Sequence, residues 1–319
     1  MSAEQAIVGV AGNRPTESES LFVARFLKPL SRDPAALISL VILVLLLVTA
    51  VFGPYLSPLD PNAQQLGDRL MPPAWSGGSP THPLGTDALG RDLAARLIYG
   101  TRLTLLIPLT AVGIATSLGT VLGLVAGFYA GKADAIIMRA VDVMMAFSSL
   151  LLLLVLTVMI GTGVRTLILV FGFTAWVIFT RVVRGIVLAL REAPFVLAAR
   201  CTGCSTKRVL FTHLLPSAIP VIFSVAVIDL GRLMVAEAGL SFLGFGVQAP
   251  DLTWGLILEE GRQYLTVAVW LVAFPGLAIS LTVLSITVFG SWLRSLTDPF
   301  SKFTRGQATA ASSSTLSPA

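Results

Sequence analysis

The sequence is short of charge. Among 319 residues only 12% are Asp, Glu, Lys or Arg, where a soluble domain carries about a quarter. Hydrophobic residues make up 55%, so a compact water-soluble fold would lack the polar surface to cover its core. That excludes a soluble domain and points to an integral membrane protein. The formal net charge is +5, yet no block of Lys or Arg forms a stripe that could track phosphates, and no nucleic-acid partner is expected. Two cysteines, Cys201 and Cys204, cannot build a disulfide framework. Their C-x-x-C spacing is half of a zinc set with no second pair, so a plain structural role outweighs a redox or metal one. The two histidines, His82 and His213, fall in separate loops, and G-x-x-x-x-G-K-[ST] is absent. The chain is expected to hold no metal, cofactor or catalytic residue of its own.

What the sequence does have is long runs without charge. A helix needs about 20 apolar residues to cross the hydrocarbon core, and a charge at its centre costs roughly 2.5–3.5 kcal/mol. Six spans emerge: 34–59, 103–131, 143–164, 166–180, a fifth from about Ala218 to Leu240, and a sixth within 263–293. The fourth is short, but it borrows Val182, Val183 and Ile186 if Arg181 and Arg184 snorkel. The first apolar run, 35–52, begins too late and is too long for a cleaved signal peptide, so a retained anchor is expected. The expected fold is all-α with six transmembrane helices. Its parts are a cytoplasmic tail 1–33, the first span 34–59, an extracytoplasmic segment 60–102, a five-helix core 103–299 and a cytoplasmic tail 300–319. Residues 1–20 and 306–319 are rich in Ser, Thr, Ala and Gly and are expected to be disordered. With the N-terminus inside, fifteen Lys and Arg fall on the cytoplasmic side and seven on the other. The positive-inside rule therefore puts both termini in the cytoplasm.

Two patterns lie within the spans. Gly119, Gly123, Gly127 and Gly131 recur every four residues, giving one helix face along which another backbone can approach closely. Helix packing, within or between subunits, is favoured there over solute contact. The intramembrane acids Asp142, Asp229 and Glu237 are candidates for an ion pathway. However, Asp142 is one turn from Arg139 and Asp229 is three residues from Arg232, so both can neutralise locally.

The most informative polar stretch runs between spans four and five, over 191–216. Phe195, Val196 and Ala199 fall at helical spacing, Gly203 permits a left-handed turn, and Ser205 can cap a second helix continued by Val209, Leu210 and His213. The pattern predicts a helix-turn-helix outside the membrane. An ordered loop of this length is more often functional than not.

At this loop the chain resembles the permease subunits of ABC importers, whose pattern is E-A-A, three residues, G, then I-x-L-P. The matching residues are Ala198, Ala199, the adjoining Arg200, Gly203, Leu215 and Pro216, with Leu197 standing where the acid is usual. The stretch HPLGTDALGRD over 82–92, carrying Gly85, Asp87, Gly90, Arg91 and Asp92, is similar to a more specific signature. That signature belongs to the C-type subunit of dipeptide, oligopeptide and nickel permeases. Asp142 with Ala146-Phe147, Glu237 in EAGLSFLG, Trp254-Gly255, Phe274-Pro-Gly276 and LTDP over 296–299 follow in the family's order. Ser148 stands where Pro is usual, and Ser291 and Ser295 stand where acids are common.

The resemblance implies a division of labour. This chain would be one half of a pathway in the bacterial cytoplasmic membrane, in contact with lipid and paired with a second homologous permease as a heterodimer. An extracytoplasmic solute-binding protein would deliver the solute, and two cytoplasmic ATP-binding subunits would hydrolyse ATP. The hairpin around Gly203 would dock on an ATPase. An ion-coupled secondary transporter is the alternative, but it would need an inverted repeat and coupling groups that are not seen. A membrane-embedded enzyme would need a clustered constellation that is absent.

Overall fold

The computed structural model describes residues 30, 33–56 and 59–297. The expectations for residues 1–29 and 298–319, including tail disorder, lie outside those residues. The described residues are almost wholly helical, with a single antiparallel bridge between Thr86 and Asp92.

Nine helices form the framework: α1 Pro34–Leu56, α2 Leu93–Tyr129, α3 Gly131–Ala146, α4 Ser149–Ile160, α5 Val164–Leu190, α6 Pro194–Cys201, α7 Thr206–Phe242, α8 Trp254–Gly261 and α9 Trp270–Thr297. Five of them (α1, α2, α5, α7 and α9) are long and apolar enough to cross a membrane. The bent pair α3 and α4 makes a sixth span if counted as one. Helix α2 packs along α5, α7 packs on α9, α2 and α5, and α1 closes against α2 and α9. One apolar core lies among α2, α4, α5 and α7, around Ile107, Phe171, Phe179, Leu214 and Leu233. A second, around Leu93, Trp254, Ile257 and Leu271, joins the start of α2 to α8 and α9.

Several boundaries differ from the sequence expectation. The second helix begins at Leu93, ten residues before Leu103, because Asp92 caps it by accepting from the Ala95 amide at 2.7 Å. Its first turns extend past the uncharged run, since Arg96 is buried in an ion network. The third span, expected as one helix over 143–164, is instead broken at Phe147–Ser148, and the two pieces meet at 90°. The fourth is longer than expected because Arg181 and Arg184 find acidic partners in α3. The second helix of the hairpin is not a separate element. It runs without interruption into span five as α7, with a π-helical stretch over Val209–Leu214.

Candidate functional site

Three places collect the residues singled out by sequence. The first is the signature loop 82–92. Its chain turns back on itself so that the Thr86 amide donates to Met71 O at 3.0 Å and the Leu93 amide to Gly85 O at 3.1 Å. Gly90 has φ +72°, and a Cβ there would sit 1.8 Å from Gln65 O, so only glycine fits this turn. The turn delivers Asp87, whose Oδ1 accepts from the Leu89 and Arg91 amides at 2.8 and 2.9 Å. Its Oδ2 accepts from Arg91 Nε at 2.5 Å and Arg96 Nη1 at 2.6 Å. Glu260 of α8 completes the square, accepting from Arg91 Nη2 at 2.8 Å and pairing with Arg96 Nη2 at 2.7 Å. Two guanidinium groups and two carboxylates thus neutralise one another, with Arg96 1% exposed and Asp87 5%.

Beside this square, His82 Nδ1 lies 3.0 Å from Asp92 Oδ1. Trp270 Nε1 donates to Thr86 O at 3.2 Å, and Trp254 Nε1 to Leu97 O at 2.9 Å. Gly85, Asp87, Gly90, Arg91 and Asp92 are therefore brought together as a clasp joining the start of α2 to α8 and α9. Arg96 and Glu260 belong to it equally. Arg96 follows the signature by four residues, but Glu260 lies 169 residues from Arg91, and nothing in its own neighbourhood signals the contact. Asp142 and Glu237 sit elsewhere. Glu237 is fully buried in α7 and accepts from Ser241 Oγ at 2.9 Å. Asp142 pairs with Arg181 of α5 at 3.5 Å rather than with Arg139, because the broken third span lays α3 alongside α5.

The second place is the glycine face of α2. A Cβ on Gly119 would sit 2.5 Å from Trp176 O, on Gly123 2.7 Å from Val183 Cβ, and on Gly127 2.7 Å from Val187 Cβ. These three let α2 and α5 of the same chain approach at backbone distance. Gly131 does not join them. It lies past the end of α2 with φ +56°, and a Cβ there would meet nothing within 4 Å. The four-residue repeat carries on in sequence after the helix that gives it meaning has ended at Tyr129.

The third place is the hairpin. Helix α6 starts with Pro194 in its first turn, where the missing N–H costs nothing. It ends when the Cys204 amide donates to Ala199 O and the Gly203 amide to Arg200 O, both at 3.0 Å. This paired closure requires a left-handed residue, and Gly203 supplies it at φ +79°. Val196, Val209, Leu210 and Leu214 are buried against the core, while Phe195, Leu197 and Phe211 stay exposed. Arg200 stacks over the Phe128 ring at 4.7 Å, fastening the hairpin to the C-terminal end of α2. Ala198 is exposed, Ala199 half-buried, and Leu215 and Pro216 stand where the hairpin passes into the span.

Comparison with known proteins gives this arrangement its context. A family described as "Binding-protein-dependent transport system inner membrane component" matches residues 119–302. The chain belongs to that family. It is a multi-pass inner-membrane permease subunit of the ABC-importer type. A second family, described as the N-terminal TM domain of oligopeptide transport permease C, matches residues 20–73. Among relatives, a di/tripeptide transport system permease protein of Pseudomonas aeruginosa is 36% identical over 292 residues, covering 90% of this chain and 96% of the relative. A nickel transport system permease protein of Escherichia coli is 36% identical over 262 residues, covering 82% and 93%. A glutathione transport system permease protein of Pectobacterium atrosepticum is likewise 36% identical, over 278 residues, covering 87% and 90%. In fold, the permease is similar to a chain of the MetNI methionine ABC transporter in an inward-facing conformation. The TM-score is 0.50 at 20% identity, covering 63% of this chain and 96% of that one.

Proposed function

We propose that this permease carries di- or oligopeptides, or a related small solute such as a nickel chelate, into the cytoplasm. It would do so as one half of a heterodimeric pathway with a second permease. The observation that carries this proposal is that relatives named for di/tripeptide, nickel and glutathione transport match it at equal identity along nearly their whole length. A solute-binding protein outside delivers the solute, and two ATP-binding subunits inside supply the energy. The chain itself holds no catalytic residue or cofactor. Both termini face the cytoplasm, as the bias of positive charge requires.

The hairpin is the contact with the ATPase. Its exposed apolar residues Phe195, Leu197 and Phe211 form a docking face on the charged side of the membrane. The unbroken helix α7 carries any displacement of that face directly into span five. Closure of the ATPases therefore moves α6 and α7 as a rigid unit and switches the pathway between its two openings. An ion-coupled carrier does not fit the family.

The test is uptake of radiolabelled dialanine into proteoliposomes holding the complete transporter, with binding protein inside or outside as orientation demands. Uptake that needs ATP and ignores an uncoupler is expected. Uptake that persists without ATP, or no uptake of any peptide or nickel chelate tried, overturns the proposal.

A further inference from the structure

One intramembrane cation is only half satisfied. Arg232 lies in α7, where its Nε donates to Asp229 Oδ1 at 2.6 Å. Its terminal nitrogens hold no hydrogen bond among the described residues. The Asp229 side chain is 2% exposed and that of Arg232 is 50% exposed. A guanidinium in an apolar span is costly unless it faces a partner or a cavity. Arg232 faces a cleft of about 330 Å³, walled by Met145 and Phe147 at the end of α3, Ser149 at the start of α4, and Thr174 and Ile178 of α5. That volume is at the lower end of the range for small-molecule sites.

The depth of the cleft follows from helix geometry. The turn between Ile160 and Val164 puts the end of α4 and the start of α5 at one membrane face, and Phe242 ends α7 at the same face. At about 1.5 Å per residue, Ser149, Thr174 and Arg232 each lie roughly 15 Å below that face. That is about half of a 30 Å hydrocarbon core. Three helices thus bring polar groups to one level near the midplane, at the point where the third span is broken. Irregular backbone at such a depth is tolerated where it is buried in protein or lines a cavity.

The chemistry of the cleft is one-sided. No acidic residue lines it. Ser149 opens the twelve-residue helix α4, and Ser148 before it makes no side-chain cap, so the first amides of α4 lack that partner. A helix N-terminus carries partial positive charge and binds anions. The free edge of the Arg232 guanidinium is a planar pair of donors matched to a carboxylate.

We propose that this cleft is a carboxylate-recognition station on the solute path. Arg232 takes the carboxylate of a peptide-like solute through its terminal nitrogens, with the N-terminus of α4 as the second positive element and Met145, Phe147 and Ile178 against the apolar part of the solute. Asp229 is a positioning residue: it fixes Nε, aims the free edge into the cleft and offsets part of the charge. The hold is therefore transient, as passage demands. The proposal rests on the peptide-permease function above. The other possible occupant is an acidic side chain of the second permease, and the test separates the two.

The experiment uses the complete transporter in proteoliposomes, with ATP, its binding protein and radiolabelled dialanine. If wild type carries no peptide, the peptide assignment itself fails. Given wild-type uptake, Arg232→Gln is expected to lower turnover about tenfold or more, and Arg232→Lys by less, because a point charge replaces the fork. In a chain with Cys201→Ala and Cys204→Ala, Thr174→Cys should react with an anionic thiosulfonate, and dialanine under turnover should slow that reaction severalfold. Adding Arg232→Gln should abolish the slowing. Wild-type uptake in Arg232→Gln, or slowing that does not need Arg232, overturns the proposal. So does a Thr174→Cys that is unreactive with or without peptide, which would place the second permease over the cleft. If Arg232→Gln fails to assemble, the absence of dialanine protection at Thr174→Cys in the Arg232 chain is enough to overturn it.

Discussion

Asp134 and Arg184, fifty residues apart, form a two-pronged ion pair: Arg184 Nε donates to Oδ1 at 2.5 Å and Nη2 to Oδ2 at 2.6 Å. The pair fastens the start of α3 to the C-terminal half of α5. Together with Asp142 and Arg181, it gives the broken third span its only charged anchorage to α5 among the described residues.

The anchorage predicts a charge-swap result. Asp134→Ala should cost about 1–2 kcal/mol, the range for a partly exposed, bidentate, charge-assisted pair. Asp134→Arg should cost more, and Asp134→Arg with Arg184→Asp should recover most of the loss. Thermal unfolding of the purified complex reads all three, and equal losses in the single and double variants would show that the pair is incidental.

Gly123→Leu forces α2 away from α5, because even a Cβ would stand 2.7 Å from Val183 Cβ and 2.8 Å from Thr180 O. The contact is within the chain, so the variant should accumulate poorly even when expressed without a partner permease. Gly123→Ala should already cost about 1–3 kcal/mol from overpacking. Gly113→Ala, where a Cβ meets nothing within 4 Å, should be neutral or mildly stabilising. Similar melting temperatures for the two alanine variants would contradict the packing account.

Gly203→Val tests the hairpin without touching the membrane core. Space is open around the residue, so the whole penalty is backbone: about 1–2 kcal/mol for a side chain at φ +79°. Insertion and expression should survive while ATP-driven uptake and binding-protein-stimulated hydrolysis fall together. Gly203→Asn, which tolerates the left-handed region better, should fall less. Normal coupled uptake in the valine variant would remove the hairpin from the coupling path.

Asp87→Ala leaves Arg91 and Arg96 sharing Glu260 alone in a buried site. Breaking one partner out of such a network costs about 3–5 kcal/mol, so the variant should melt well below wild type and lose the register of α8 against α2. Limited proteolysis of the 60–92 segment and of the α7–α8 connection would report the loosening. An unchanged melting temperature would show the clasp to be dispensable.

Cys201 is exposed and Cys204 partly so. A membrane-impermeant maleimide should label the pair only in inside-out or permeabilised vesicles, and replacing both with alanine should leave uptake nearly intact. Labelling in sealed right-side-out cells would reverse the orientation.

The sequence by itself determined the membrane class, the six apolar stretches and the local signals that need only neighbouring residues. The left-handed Gly203 is one, since a helix end and a following helix start enclose it. The close-packing glycines of α2 are another, since their period matches the helix. What the sequence could not determine was which distant groups meet. Asp142 has Arg139 one turn away, yet its partner is Arg181, because the third span bends at Phe147–Ser148 and lays α3 beside α5. Charge spacing could not reveal that bend, since 143–164 is uninterrupted by charge and hydrophobicity alone does not specify a straight helix. The pairing of Arg91 and Arg96 with Glu260, and the convergence of Ser149, Thr174 and Arg232 at one depth, were likewise decided only by tertiary structure. Long-range electrostatic partners are chosen by the helix packing that brings them within reach, and that packing is set by the summed fit of many apolar side chains rather than by any motif around the charges themselves.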